Sequence, residues 1–264
     1  MPKILFGTIA LEINRWSSRI PSYSVSDWVG RFKADGFDGL ELWENHVLLH
    51  PSRDGEINKI IASGFPVSVY NTYAAFDDES RGQRETAAET VKRLNAGAVK
   101  YNVGADESKI GEYKRNLISF AEALPDNCKL LCECHAGTVL EDNDAAAKFF
   151  GDLPEERFGV ILHPFECPNE LRTKFKIFGS RIKHIHSQIT DGTGSRVRLD
   201  RLSERALACL GVMKEFNFYG SFTIEFTEGT SAPSENIDGL YENAMKDMRF
   251  IRENYMRGAD EIFG

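Results

Sequence analysis

Eight short apolar runs recur along the chain, each followed by a longer polar or amphipathic segment, and this alternation constrains the fold more than any other feature. The runs are KILFGTIA, FDGLELW, PVSVYNTY, AVKYNVG, KLLCECH, FGVILH, RIKHIHS and YGSFTIEF. A strand with one wet face alternates apolar and polar residues, whereas these runs are nearly continuous, as strands buried on both faces require. Between them lie helical patterns such as SVSDWVGRFKADG, DGEINKIIASG, a polar stretch over about 80–97, ESKIGEYKRNLISFAEAL, DNDAAAKFFGDL, CPNELRTKFKIFG, a stretch over about 200–216, and NIDGLYENAMKDMRFIRENYM. Eight such units in 264 residues average 33 residues each, the size of one βα repeat. Gly36, Gly64, Gly97, Gly179 and Gly220 fall where helix ends need a left-handed residue. No Pro/Ser/Gly-rich linker divides the chain, and GTIALEINRW after the first run lacks the G-x-G-x-x-G turn of a doubly wound fold. The expectation is an α/β chain folded as a single (β/α)8 TIM barrel, one domain over residues 1–264.

Each of the last four runs carries, at or near its end, a residue of a type that ligates metals: Glu133, His163, His186 and Glu225. Strand ends of a parallel barrel converge on one mouth, so these side chains point at a common axis. Alternation along a strand places Leu131 with Glu133, Ile161 with His163, His184 with His186 and Thr223 with Glu225 on the inward face. Cys132 and Cys134 then face the helices. Two carboxylates and two imidazoles suit one divalent ion of Mn, Zn, Co or Fe better than Ca or Mg. Glu41, Trp43, Glu44, His46, Asn71 and Tyr73 end the second and third runs and are placed on the other wall of the pocket, where Trp43 and Tyr73 offer apolar faces to a ligand.

Charge excludes some partners. A net charge of -8 leaves no electrostatic footprint for nucleic acid or anionic lipid, and no apolar stretch approaches the length of a membrane span. The N-terminus lacks the pattern of a signal peptide, and the five cysteines at 128, 132, 134, 167 and 209 form no disulfide framework. A cytoplasmic protein without nucleic-acid or membrane partners is expected.

The motifs FDGLELWE, LLCECHAGT, FGVILHPFE, IKHIHSQ and YGSFTIEF, in this order over most of the chain, resemble the xylose-isomerase-like TIM-barrel superfamily. That superfamily includes sugar and sugar-phosphate isomerases and epimerases, inosose dehydratases, and endonuclease IV (AP endonuclease family 2). Its metal ligands are typically Glu, Asp, His and Glu from strands five to eight, which Glu133, His186 and Glu225 match. The sixth strand departs: relatives read D-x-x-H, and this chain has His163-Pro164-Phe165-Glu166, so either His163 or Glu166 is the ligand there. Two neutral imidazoles in place of one carboxylate would leave the metal less neutralised and a stronger Lewis acid.

The resemblance implies a metal-dependent isomerase or epimerase acting on a ketose or related polyol through an enediolate. It nominates Glu133 and Glu225 as acid/base groups, each binding metal through one oxygen and keeping the other for the proton. His135 and Glu166 are candidates for orienting substrate hydroxyls, as is Gln188, where relatives often carry Lys. The alternatives are a lyase, by inosose dehydration or β-elimination, and a barrel that binds sugar without turnover. Endonuclease IV would need extra histidines on the early strands, and KILFGTIA and PVSVYNTY supply none. Relatives often form dimers or tetramers, so a homo-oligomer is compatible.

Other polar residues have plainer readings. His184 is expected to be a satisfied core histidine, His46 and His50 solvated loop residues, and Cys132 and Cys134 buried thiols rather than half a zinc site. Arg196, Arg198 and Arg201 after DGTGS are expected at a solvated helix start, with a grip on substrate phosphate as the alternative.

Overall fold

The computed structural model describes residues 2–256. Strands β1 (Ile4–Gly7), β2 (Leu40–Trp43), β3 (Val67–Asn71), β4 (Ala98–Tyr101), β5 (Lys129–Glu133), β6 (Phe158–Leu162), β7 (Ile182–Ser187) and β10 (Ser221–Ile224) close into a parallel barrel, with β1 bonded to both β2 and β10. Two short strands, β8 (Ile189–Thr190) and β9 (Arg196–Val197), make an antiparallel hairpin directly after β7. The helices are α1 (Val25–Ala34), α2 (Asn45–Leu48), α3 (Arg53–Ala62), α4 (Arg81–Leu94), α5 (Ile110–Glu122), α6 (Asn143–Phe150), α7 (Pro168–Phe178), α8 (Ser203–Glu215) and α9 (Ile237–Ile251). Eight of these are the expected crossover helices, and α2 is one extra turn in the β2–α3 connection. Among the described residues, no helix is long and apolar enough to cross a membrane.

Strand alternation sorts the apolar residues into two cores, as the pleat dictates. Outward-facing Ile4, Phe6, Leu130, Cys132, Val160 and Leu162 pack under the helices, while Leu5, Val69, Ala98, Leu131 and Ile161 form a separate cluster inside the barrel. Register then levels the polar residues above that plug. Thr223 pairs with His186, Ser221 with His184, Glu133 with Ile161, and Glu41 with Gly7 and Val69.

Two of the five glycines have a different role from the one expected. Asn95 and Asn217 take the left-handed conformation after α4 and α8, at φ 51° each, as Asn can do in place of Gly. Gly220 is required for close approach instead, since a Cβ there would sit 2.2 Å from the Lys183 carbonyl oxygen.

Candidate metal centre

Glu133, His163, His186 and Glu225 meet at the C-terminal mouth of the barrel, with one ligand atom from each lying within 4.8 Å of the others. Glu133 ends β5 and His186 lies near the end of β7, while His163 and Glu225 follow immediately after β6 and β10. His163 Nε2 is 2.7 Å from Glu133 Oε1, and His186 Nδ1 lies 3.4 Å from the same oxygen and 3.2 Å from Glu225 Oε1. His186 is fully buried, yet its Nδ1 has no hydrogen-bond partner. A buried imidazole nitrogen that faces two carboxylates without a well-formed hydrogen bond to either is a position a cation would satisfy.

A divalent ion fits the space among these donors in chemistry and in spacing. Ligand atoms about 2.1 Å from one ion are at most about 4.2 Å apart, so a small inward movement of the four groups would complete a first shell. Mixed imidazole and carboxylate donors suit the middle transition metals and zinc.

The structure brings His163 into the cluster, whereas Glu166 is exposed and accepts from Thr190 Oγ1 at 3.0 Å, away from it. Glu166 is therefore neither a fourth ligand nor a group lining the cluster in this conformation. His135 lies two residues past the end of β5, exposed, with Nδ1 2.7 Å from its neighbour Ala136 O.

Glu41 is a support rather than a wall. It is 1% exposed, accepts from Asn71 Nδ2 at 2.9 Å, and lies 3.0 Å from His184 Nε2 and 3.1 Å from His186 Nε2. Glu41 and Asn71 thus have no free face for substrate, and the carboxylate fixes the ring whose other nitrogen faces the metal position, a common outer-layer device. Burial works to raise the Glu41 carboxyl, but His186 and His184 outweigh it and hold it well below the usual range. His184 is the expected satisfied core histidine, with Ser221 Oγ at 2.7 Å and Thr223 Oγ1 at 2.9 Å; burial lowers its pKa despite Glu41. Glu41, His184 and His186 could also surround an ion, but every nitrogen they present to one another is already engaged.

The β4 side holds residues the sequence reading passed over. Lys100, 2% exposed, places Nζ 2.8 Å from Glu133 Oε2 and 2.7 Å from Asn102 Oδ1, and Asn102 Nδ2 donates to Glu133 Oε2 at 3.1 Å. Glu133 therefore does not keep a free second oxygen for a proton, contrary to expectation. Burial would raise this carboxyl, but the Lys100 ammonium, with His163 and His186, holds it well below the ordinary range. Burial would also lower His186, yet Glu225 and Glu41 outweigh it and raise that imidazole well above its ordinary value. The protein thus compensates three converging carboxylates with protons and one lysine, a charge balance a divalent cation would satisfy directly. The signal was present in the sequence, because Ala98, Lys100 and Asn102 share the inward parity.

On the opposite side Glu225 Oε2 accepts from the Gln188 Nε2 amide at 3.0 Å, and that same nitrogen is 2.6 Å from His163 Nδ1. Gln188 is thus seated against the cluster itself. Trp43, expected as an open face, is 1% exposed and packed with Ile9 and Phe226. The exposed aromatic surface at the mouth comes instead from Tyr73 and from Trp16, whose ring lies 5.9 Å from Phe226. Glu44 is buried, accepting from Thr72 Oγ1 at 2.5 Å and Tyr73 N at 2.8 Å. His46 is also buried rather than solvated, on α2 against Trp43 and Tyr23, and burial pushes its pKa down to about 3. His50 is half-buried, its Nε2 3.0 Å from Ser24 Oγ. Arg198 and Arg201 pair with Asp200 and Glu228, but Arg196 behaves differently and sits over Phe226.

No protein-family model and no curated protein sequence matches the chain. Solved structures do. IolI protein with a bound zinc atom aligns at TM-score 0.68 and 15% identity, covering 96% of this chain and 99% of that one. The probable 3-DHS dehydratase AsbF of Bacillus anthracis aligns at 0.66 and 15%, over 96% and 99%. Endonuclease IV from Thermus thermophilus aligns at 0.61 and 15%, over 96% and 100%. At these identities the likeness speaks to architecture, and the chain has the fold of the xylose-isomerase-like TIM barrels.

Proposed function

We propose that this chain is a divalent-metal-dependent enzyme that moves a proton at a carbon beside a carbonyl of a small sugar, ketose or related polyol, as an isomerase or epimerase acting in the cytoplasm. The observation that carries the reading is the convergence of Glu133, His163, His186 and Glu225 around the unpartnered His186 Nδ1. These four residues would hold the ion, which when bound supplies Lewis-acid stabilisation of negative charge on adjacent substrate oxygens.

The chain's own groups divide the remaining work unequally. Glu225 Oε2, whose hydrogen bond comes from the neutral Gln188 amide, is the base that takes the substrate proton. Glu133 Oε2 is pinned by Lys100 and Asn102, so Glu133 stays ionised and serves as a ligand. Glu41 and His184 hold His186 in its orientation from below. Tyr73 and Trp16 offer exposed rings on which sugar C–H faces stack.

A lyase is the second reading, favoured by the same asymmetry. One base on one face suits a 1,2-shift or removal of a proton before loss of water, whereas epimerisation asks for a partner group on the opposite face. AsbF, similar in fold, is a probable dehydratase.

The test is incubation of Mn- or Zn-loaded protein with a panel of ketoses, aldoses and inososes, together with sugar phosphates and sugar acids, in deuterated water. Deuterium entering the carbon beside the carbonyl with a carbohydrate isomer as product supports the isomerase. Exchange accompanied by loss of water supports the lyase. No exchange with any member of the panel contradicts both.

A further inference from the structure

Arg196 is a cation with most of its donors unused. It begins β9, opposite Thr190 in the hairpin, and the hairpin turn is closed by Asp191 Oδ1, which accepts from Thr193 N at 2.8 Å and Ser195 N at 3.1 Å. The turn folds the arginine back over the residue that leaves β7. There its Nε donates to Gln188 Oε1 at 3.1 Å, and its guanidinium carbon stands 4.5 Å from the centre of the Phe226 ring. Both partners are neighbours of the metal centre, since the Gln188 amide donates to Glu225 and Phe226 follows Glu225 in the chain. The guanidinium is therefore two hydrogen bonds and one amide away from the Glu225 carboxylate.

Its terminal nitrogens have no partner. Among the described residues, Arg196 forms no ion pair, and neither Nη1 nor Nη2 donates a hydrogen bond to the protein. Arg15 and Lys100 differ in this respect. Arg15 spends its donors on Ile9 O, Ala10 O and Glu235 Oε1, and Lys100 is bound to Glu133 and Asn102. Glu235, the carboxylate that would otherwise neutralise this side of the mouth, is taken by Arg15 at 2.6 Å. A half-buried guanidinium, fixed by a ring and an amide but not neutralised, is pre-organised to donate two parallel N–H bonds to an oxyanion.

We infer that Arg196 selects an anionic substrate, binding a carboxylate or phosphate of the polyol that the metal centre acts upon. The inference rests on the proposed function for its reaction, and on the hairpin geometry for its charge. The short path from guanidinium to cluster places the oxyanion near the reacting carbons, so the substrate class is a small polyhydroxylated acid or a short sugar phosphate rather than a neutral hexose.

Three three-carbon probes test it: glycerol, glycerate and glycerol 1-phosphate. Their affinities are measured by calorimetry for wild type, Arg196→Met and Arg196→Lys, each both Mn-loaded and chelator-treated, with metal content determined alongside. The expected result is that an acidic probe binds wild type about tenfold or more tighter than glycerol, that Arg196→Met abolishes the preference, and that Arg196→Lys restores it more for phosphate than for carboxylate. Preference for glycerate assigns a carboxylate, and preference for glycerol 1-phosphate assigns a phosphate. Equal binding of all three probes by wild type, or a preference that survives Arg196→Met, overturns the inference. Metal content separates the two claims: an anion preference in protein that takes up no metal sinks the proposed reaction alone, and metal uptake without the preference sinks this inference alone.

Discussion

The two carboxylates facing each other across the mouth are equally buried, at 6% exposure each, but the two sides of the barrel hold them differently. On the β4/β5 side a buried ammonium and an amide grip Glu133 Oε2; on the β7/β10 side Glu225 Oε2 takes its hydrogen bond from the neutral Gln188 amide, with His163 Nδ1 farther off at 3.9 Å. A carboxylate compensated by a full charge is stabilised as an anion and makes a steady ligand and a poor base. An oxygen met by a neutral amide has no such cation fixed against it. Two glutamates that look alike in sequence are thereby assigned different tasks by their neighbours.

Breaking the base should have the largest effect. Glu225→Gln, assayed at saturating metal for solvent deuterium exchange, is expected to lose about 10²–10⁴-fold in rate, the usual contribution of a positioned general base. Retained exchange would move the base elsewhere, with Glu133 next in line.

Removing the charge on the other side should cost stability. Lys100→Met leaves Glu133 buried without its ion partner, and denaturant unfolding of chelator-treated protein is expected to show a loss of about 3–5 kcal/mol. Bound metal should recover part of that loss by taking over the compensation. A change within about 0.5 kcal/mol would mean that the ion pair does not order the β4/β5 side.

The β7/β10 side carries a different buttress. Asp247 on α9 accepts from Thr227 Oγ1 at 2.5 Å and from Leu199 N at 2.7 Å, clipping the loop after β10 to the segment after the hairpin. Burial pushes its pKa up to about 7, against hydrogen bonds that lower it. Because the folded pKa lies above the unfolded one, the fold favours the proton: there is no penalty below about pH 4, and stability falls as pH rises from about 4 to 7, by up to about 4 kcal/mol from this group. Asp247→Asn should flatten that segment of the stability-versus-pH curve, and an unchanged slope would contradict the assignment.

The smallest expected effect is on metal affinity. Glu41→Gln removes the carboxylate beneath His186 and is expected to weaken Mn or Zn binding about 10–100-fold without abolishing it. Affinity equal to wild type would show that Asn71 and His184 suffice to hold the ring.

The barrel and the four converging residues were legible because both follow from period and parity: continuous apolar runs for strands, and a polar residue at each strand end. What was not legible depends on depth and on tertiary register. Glu41 was read as a wall because its level in the barrel cannot be inferred from its own strand; pairing with Gly7 and Val69 sinks it beneath His186. Lys100 was overlooked because a lysine reads as the end of an apolar run, although Ala98 and Asn102 share its face. Arg196 was read as the start of a solvated helix because only the β8–β9 register turns it back over Gln188. His46 was placed in solvent because a single helical turn between β2 and α3, too short to stand out in the pattern, folds it under Tyr23.

Metal content tests the proposed Glu133/His163/His186/Glu225 site most directly. Elemental analysis of protein purified without chelator, and again after exposure to Mn or Zn, should find about one transition-metal ion per chain in wild type and in Glu166→Ala, and a loss in His163→Ala. Wild-type protein that holds no metal under either condition, or a site lost with Glu166 and kept without His163, would contradict it.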